Sequence, residues 1–188
     1  MLIGFTGYAQ SGKTTCAEYL TETFGFKQVG FADKLREYVE QVNPIIQFGY
    51  DPRNGLWGLK YNEALRRYGY EEAKRVKPGF RKALIDFGNG ARDIFGEDFW
   101  VDQLWKTFQV NEDYAFQDVR FLSEAKRIQK YGDGIIIRIN RPSVGRGSND
   151  VSETEMEQIN ADYTIENNLS KDILLQNVHY YVSKHVRL

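Results

Sequence analysis

Residues 7 to 14, Gly7-Tyr8-Ala9-Gln10-Ser11-Gly12-Lys13-Thr14, spell G-x-x-x-x-G-K-[ST], and they follow the apolar run Met1 to Phe5. A strand before this loop and a helix from Thr15 onward would bring consecutive backbone N–H groups and a helix N-terminus to one point, which then favours an anion. Gly7 and Gly12 allow backbone geometry that a Cβ would hinder. Lys13 brings a mobile positive charge, and the Thr14 hydroxyl can ligate Mg²⁺. Together with Ala9, Gln10, Ser11 and Thr15, these residues are the expected cradle for the phosphates of a nucleotide such as ATP.

The rest of the chain has to supply a sheet for that loop to sit on. Strand-like and helix-like segments alternate with turn residues between them, the α/β pattern. Phe26 to Phe31 reads as a short strand and Asp33 to Val42 as a helix. Asn43 to Lys60, with Pro44, Gly49, Pro52, Gly55 and Gly58, reads as a long irregular excursion. Tyr61 to Ala73, Phe80 to Phe95 and Glu97 to Phe108 read as helices. Tyr114-Ala115-Phe116, leading into Gln117-Asp118, reads as a buried parallel strand, and Leu122, Ala125 and Ile128 mark the core face of the next helix. Ile135 to Ile139 is the clearest strand. Arg141 to Asp150 is a Gly-, Ser- and Arg-rich loop, followed by a helix start at Ser152 with Glu155 completing a capping box. A strand at Tyr163 to Glu166 precedes a helix with Ile173, Leu174, Val178, Tyr181 and Val182 on one face.

With 188 residues, 41% of them hydrophobic, the chain suits one domain with a real core. Its 25 basic and 26 acidic residues leave a net charge of −1, which argues against stable coating of nucleic acid. The single Cys16 precludes an internal disulfide and fits a reducing cytoplasm, as a small packed residue. No apolar stretch is long enough for a membrane span, and the apolar start is too short for a signal peptide.

A phosphate loop serves motors, switches and kinases alike, so the reaction has to be read from the remaining charged residues. Asp118 ends a strand at the carboxyl edge of the expected sheet, where open α/β sheets bind ligands, and is a candidate for organising Mg²⁺. The alternative is a cap on the helix that follows, and the two roles can coexist. Arg120 lies two residues on. Transfer between two anionic substrates needs fixed cations, because the transferring group carries dispersed negative charge. Arg36 follows the second strand. Arg81 and Arg92, eleven residues apart on one helix, share a face. Arg138, Arg141 and Arg146 flank or occupy the Gly-rich loop, as a closing lid would require.

In order and spacing, these segments resemble a known family. Gly30-Phe31-Ala32-Asp33-Lys34-Leu35-Arg36 looks like the start of the acceptor-binding region of nucleoside monophosphate kinases. Several further segments are similar to the phage-type deoxynucleoside monophosphate kinases: Gly69 to Lys74, Arg81-Lys82-Ala83-Leu84, Gly88 to Arg92, Gly96 to Val101, Asp118-Val119-Arg120-Phe121 with Glu124-Ala125, Ile137-Arg138-Ile139 with Arg141-Pro142, Ser152-Glu153, and Asp162 to Asn167. Three departures stand out. Gly88-Asn89-Gly90 replaces a Gly-Thr-Glu tendency, Asp150-Val151 stands where a histidine is common, and Phe121-Leu122-Ser123-Glu124 keeps the glutamate with a different turn.

The resemblance implies an α/β P-loop NTPase three-layer sandwich with a parallel sheet. It also implies a helical acceptor-binding insertion at about 33–110 and a lid at about 141–157, all in one kinase domain. It implies ATP and Mg²⁺, with Thr14 and Asp118 toward the metal and Lys13, Asp118, Arg120 and Arg141 in catalysis. Asp33, Arg36, Arg81, Asn89, Arg92, Trp100 and Arg120 would hold a deoxynucleoside monophosphate, and Arg138, Arg141 and Arg146 would belong to the lid. A dephospho-coenzyme A kinase or a nucleotide-dependent switch would use the same loop. The expected partners are small molecules, without stable nucleic-acid or membrane binding; a homodimer is compatible with the sequence. A cytoplasmic location is expected, the host's if the protein is phage-encoded.

Overall fold

Leu2, Ile3, Gly4, Phe5 and Thr6 can be covered on both sides, and in a computed structural model of the protein they form the central, fully buried strand β1 (Leu2–Thr6). The structure describes residues 1–109, 111–131, 133–145 and 151–185, the side chains of 151–153 excepted. After β1 the chain forms α1 (Lys13–Phe24), β2 (Lys27–Val29), α2 (Asp33–Val42), β3 (Ile45–Asp51), β4 (Gly55–Lys60), α3 (Tyr61–Tyr68), α4 (Tyr70–Val76) and α5 (Pro78–Phe95). It continues through α6 (Phe99–Trp105), β5 (Tyr114–Phe116), α7 (Leu122–Gln129), β6 (Ile135–Asn140), α8 (Val151–Gln158), β7 (Tyr163–Glu166) and α9 (Lys171–Ser183). Two compact units result: Met1–Phe31 with Leu104–Leu188, and Ala32–Gln103.

The first unit holds a parallel sheet of order β2-β5-β1-β6-β7. Side chains alternate across a strand. Ile3 and Phe5 therefore join Cys16, Ala17 and Leu20 of α1 and Leu174, Val178 and Val182 of α9 in one cluster. The opposite face packs on α7, closely enough that a Cβ on Gly4 would press against Ile128, Ile136 and Val119. Helix, sheet and helix make the three layers of an α/β P-loop NTPase fold. Because all five strands run the same way, the segments leaving β1, β5, β6 and β7 emerge at one edge. That edge receives the phosphate loop, Asp118, Arg141 and Asn167.

The second unit packs α2, α3, α4, α5 and a two-stranded antiparallel ribbon around Val39, Leu59, Tyr61, Ala64, Ala73, Phe80 and Ala83. The ribbon corrects the irregular excursion expected at Asn43 to Lys60. Pro52 falls in its turn, where the Asp51 carboxylate accepts the N–H groups of Arg53 and Asn54 at 2.7 and 3.1 Å. Gly49 leaves room for Trp57 directly across the pair. Tyr61 to Ala73 is likewise two helices. Gly69, at φ 71° and ψ 170°, ends α3 and starts α4. The helix expected at Glu97 to Phe108 is confined to Phe99–Trp105.

Candidate active site

The phosphate loop takes its shape from a few backbone positions. Gly7 sits at φ 135°, where a Cβ would fall on the carbonyl oxygen of Ile139. Gln10 adopts φ 64°, and the Ser11 N–H returns to the Tyr8 carbonyl at 3.2 Å. Gly12, also left-handed, opens α1, and its carbonyl accepts the Cys16 N–H at 3.1 Å. The first N–H groups of α1 have no partner inside the helix, which is what suits this end to an anion. Beside the loop, the Thr6 and Ser11 hydroxyls are buried without a hydrogen-bond partner among the described residues. Ala9, Gln10 and Thr14 are exposed and Thr15 is half-buried.

Lys13 is buried, and its Nζ donates to the carbonyls of Gly7 and Tyr8 at 2.7 and 2.8 Å. The same Nζ lies 3.5 Å from Asp118 Oδ1, while Asp118 Oδ2 accepts from Arg120 Nε at 2.6 Å. One carboxylate thus stands between the two expected cations. Asp118 does not cap α7, which corrects that alternative. The buried Glu124 does so instead, accepting the N–H groups of Arg120 and Phe121 at 2.8 and 3.1 Å. A second carboxylate, Glu155, accepts the Leu122 N–H at 3.1 Å, a role the expected capping box with Ser152 did not include. The Ser152 side chain lies outside the described residues.

A cavity of about 400 Å³ adjoins the loop. Gln10, Gly12, Lys13, Thr14 and Thr15 line one side, and Arg141, Asn167, Leu169, Lys171 and Leu174 the other. Arg141 donates to the Gln10 carbonyl at 3.1 Å, which brings it to the loop. Sequence reasoning assigned no site role to Asn167, Leu169 and Lys171. Asn167 closed the family-like segment Asp162 to Asn167, whereas Leu169 and Lys171 were signalled only by their place after a strand in a parallel sheet.

Arg138, expected with the lid, stands within β6 and donates to the carbonyls of Met156 and Ile159 at 3.1 and 2.7 Å, which places its cation at the C-terminal end of α8. Arg146 lies outside the described residues, as does Asp150. Trp100, expected at the acceptor, is buried in the second unit and its Nε1 donates to the Gly88 carbonyl at 3.0 Å. In that unit Arg36 is held between Asp33, at 3.0 Å, and Tyr70, whose hydroxyl accepts from Nε at 3.1 Å and whose ring lies 4.7 Å from the guanidinium carbon. Arg81, Asn89 and Arg92 all belong to α5. The eleven residues between the two arginines place them about 16 Å apart along the axis, so they meet at one phosphate only if both side chains run along it. Burial pushes the Cys16 thiol up to about 12, in keeping with a packed and unreactive residue.

No protein-family model matches the chain. A mimivirus protein described as "Putative deoxynucleotide monophosphate kinase" is 29% identical over 185 residues, covering 89% of each chain. The resemblance drawn from motif order is thus shared with a curated relative. Among solved structures, the shikimate kinase of Aquifex aeolicus aligns over 98% of this chain and 97% of its own at 13% identity and a TM-score of 0.47. The shikimate kinase of Acinetobacter baumannii in complex with shikimate aligns over 99% and 95%, at 14% identity and a TM-score of 0.47. TT1252 from Thermus thermophilus aligns over 100% and 98%, at 15% identity and a TM-score of 0.47. No helix of the described residues is long and apolar enough to cross a membrane.

Proposed function

We propose that this chain, a P-loop protein similar to a viral deoxynucleotide monophosphate kinase, transfers the γ-phosphate of ATP to a deoxynucleoside monophosphate. The observation that carries the reading is the gathering of Lys13, Asp118 and Arg120 beside the phosphate loop. A binding-only site would need the loop and its lysine. A transfer site also needs charge arranged around the moving group, and phosphoryl transfer is mostly positioning and charge stabilisation.

The residues present fit Mg²⁺. Asp118 Oδ1 accepts no hydrogen bond among the described residues, and a hard cation held mainly by phosphates and water needs few protein oxygens. Thr14 and Asp118 would hold it, and when bound it neutralises charge on the β- and γ-phosphates. The loop amides bind the donor phosphates. Lys13, exchanging the carbonyls of Gly7 and Tyr8 for phosphate oxygens, brings its charge to the β- and γ-positions. Arg120 and Arg141 stabilise charge as the bond to the γ-phosphate lengthens. Arg36, with Asp33 beneath it, is the proposed ligand of the acceptor phosphate, and Arg81, Asn89 and Arg92 are candidates for further acceptor contacts.

The deciding experiment offers the four deoxynucleoside monophosphates separately with ATP and Mg²⁺ and follows ADP and deoxynucleoside diphosphate together. Stoichiometric formation of both with at least one acceptor is the expected result. ATP hydrolysis without any phosphorylated acceptor would remove the kinase reading.

A further inference from the structure

Asn167 follows β7 and has no role in the reading above, yet its side chain makes a direct hydrogen bond to the backbone of the phosphate loop. Its main-chain N–H donates to the Asn140 carbonyl at 2.7 Å, which fixes where the residue starts. Its side-chain Nδ2 donates to the Ser11 carbonyl at 2.8 Å. The same nitrogen would lie 2.9 Å from a Cβ on Gly12, so the amide rests directly against the Ser11–Gly12 peptide. Asn140 in turn donates through its own Nδ2 to both Glu166 carboxylate oxygens, at 2.9 and 2.8 Å, so the ends of β6 and β7 are tied together beneath the contact.

A peptide unit is planar and trans, so its C=O and N–H point in opposite directions. Pinning the Ser11 carbonyl therefore also aims the Gly12 N–H. That N–H is the first donor of the loop as it enters α1. Gly12 sits in a left-handed conformation with few restraints of its own, and a peptide flip there would turn an oxygen where a donor should be. Arg141 restrains the preceding peptide in the same manner, through the Gln10 carbonyl.

We propose that Asn167 is a positioning residue for the donor phosphates: by holding the Ser11 carbonyl it presets the Gly12 N–H for anion binding. This rests on reading the loop as the donor site, and it is independent of which acceptor is used. Asn167 also lines the cavity beside the loop. The competing role is therefore direct contact with the nucleoside, and the two roles separate by probe.

The test compares wild type, Asn167→Ala and Asn167→Gln for binding of inorganic tripolyphosphate, adenosine and ATP by calorimetry, with melting temperatures alongside. Loss of one preset donor corresponds to about a tenfold weakening. Tripolyphosphate and ATP should both weaken about tenfold in Asn167→Ala, adenosine should bind as before, and Asn167→Gln, which keeps a donor on a longer arm, should recover part of the loss. Unchanged tripolyphosphate binding, or a loss confined to adenosine and ATP, overturns the proposal. If Asn167→Ala does not fold, Asn167→Ser, whose donor is too short to reach Ser11, carries the same expectation; unfolding of both variants assigns Asn167 a purely structural role and also overturns it. Failure of wild type to bind tripolyphosphate would instead remove the donor-site reading itself.

Discussion

Replacing Asp118 by Asn keeps the shape of the side chain and removes its charge, and the structure separates two consequences. For stability, the charge lost lies 3.5 Å from Lys13 Nζ and 2.6 Å from Arg120 Nε. At an effective dielectric of about 20, a pair 3.5 Å apart is worth roughly 5 kcal/mol before desolvation is counted. Asp118 is 38% exposed and Arg120 31%, so screening and solvation should leave a net loss of about 1–2 kcal/mol. For a chain of this length that corresponds to a fall in melting temperature of about 3–6 °C. For turnover, loss of a group that organises charge around the transferring phosphoryl should cost at least about a hundredfold, near 3 kcal/mol of barrier. The assay pairs thermal denaturation with steady-state kinetics over a Mg²⁺ titration. A folded variant with turnover within about threefold of wild type and an unshifted Mg²⁺ curve would refute the assignment, leaving Asp118 as a tie between two cations.

Arg138→Ala removes the cation from two carbonyls at the end of α8 and should lower stability by about 2 kcal/mol while leaving the KM for ATP unchanged, as thermal melts and kinetics will show. Arg36→Lys, which cannot reproduce a planar fork, should raise the KM for the monophosphate about tenfold or more with ATP binding unaltered; an equal loss of ATP affinity would move Arg36 away from the acceptor. Gly7→Ala forces a Cβ onto the Ile139 carbonyl at φ 135° and should cost more than about 2 kcal/mol, so a wild-type melting temperature would contradict the described loop. The Cys16 thiol, raised from 9.0 to about 12 by burial, is neutral in both states well below pH 9. Above that the unfolded chain loses its proton first, so stability should fall as pH rises from 9 toward 12. Cys16→Ala should lack that component, and parallel pH curves for the two proteins would exclude it.

The local chemistry of the chain determined the phosphate loop, the helix at Asp33–Val42 and the strands at Ile135 and Tyr163, because each is specified by neighbours in sequence: a glycine spacing, a helical period, an unbroken apolar run. Glycine and proline were legible only as breakers. That they build a ribbon at Ile45–Lys60 depends on which residue faces which across the pair, with Gly49 beneath Trp57 and Pro52 in the turn. Arginine was legible only as charge. Whether it faces a site or caps a helix depends on the element packed against it, which is why Arg141 reaches the phosphate loop whereas Arg138, three residues earlier, holds the end of α8. Trp100 shows the same limit for aromatic residues, since an indole meant for stacking and one meant for the core read alike until its N–H finds Gly88. Asn167 was legible as the end of the Asp162 to Asn167 segment, but its contact was not, for a further reason. It lies 156 residues from Ser11, and only the parallel sheet, which delivers every strand end to one edge, brings its amide to the phosphate loop.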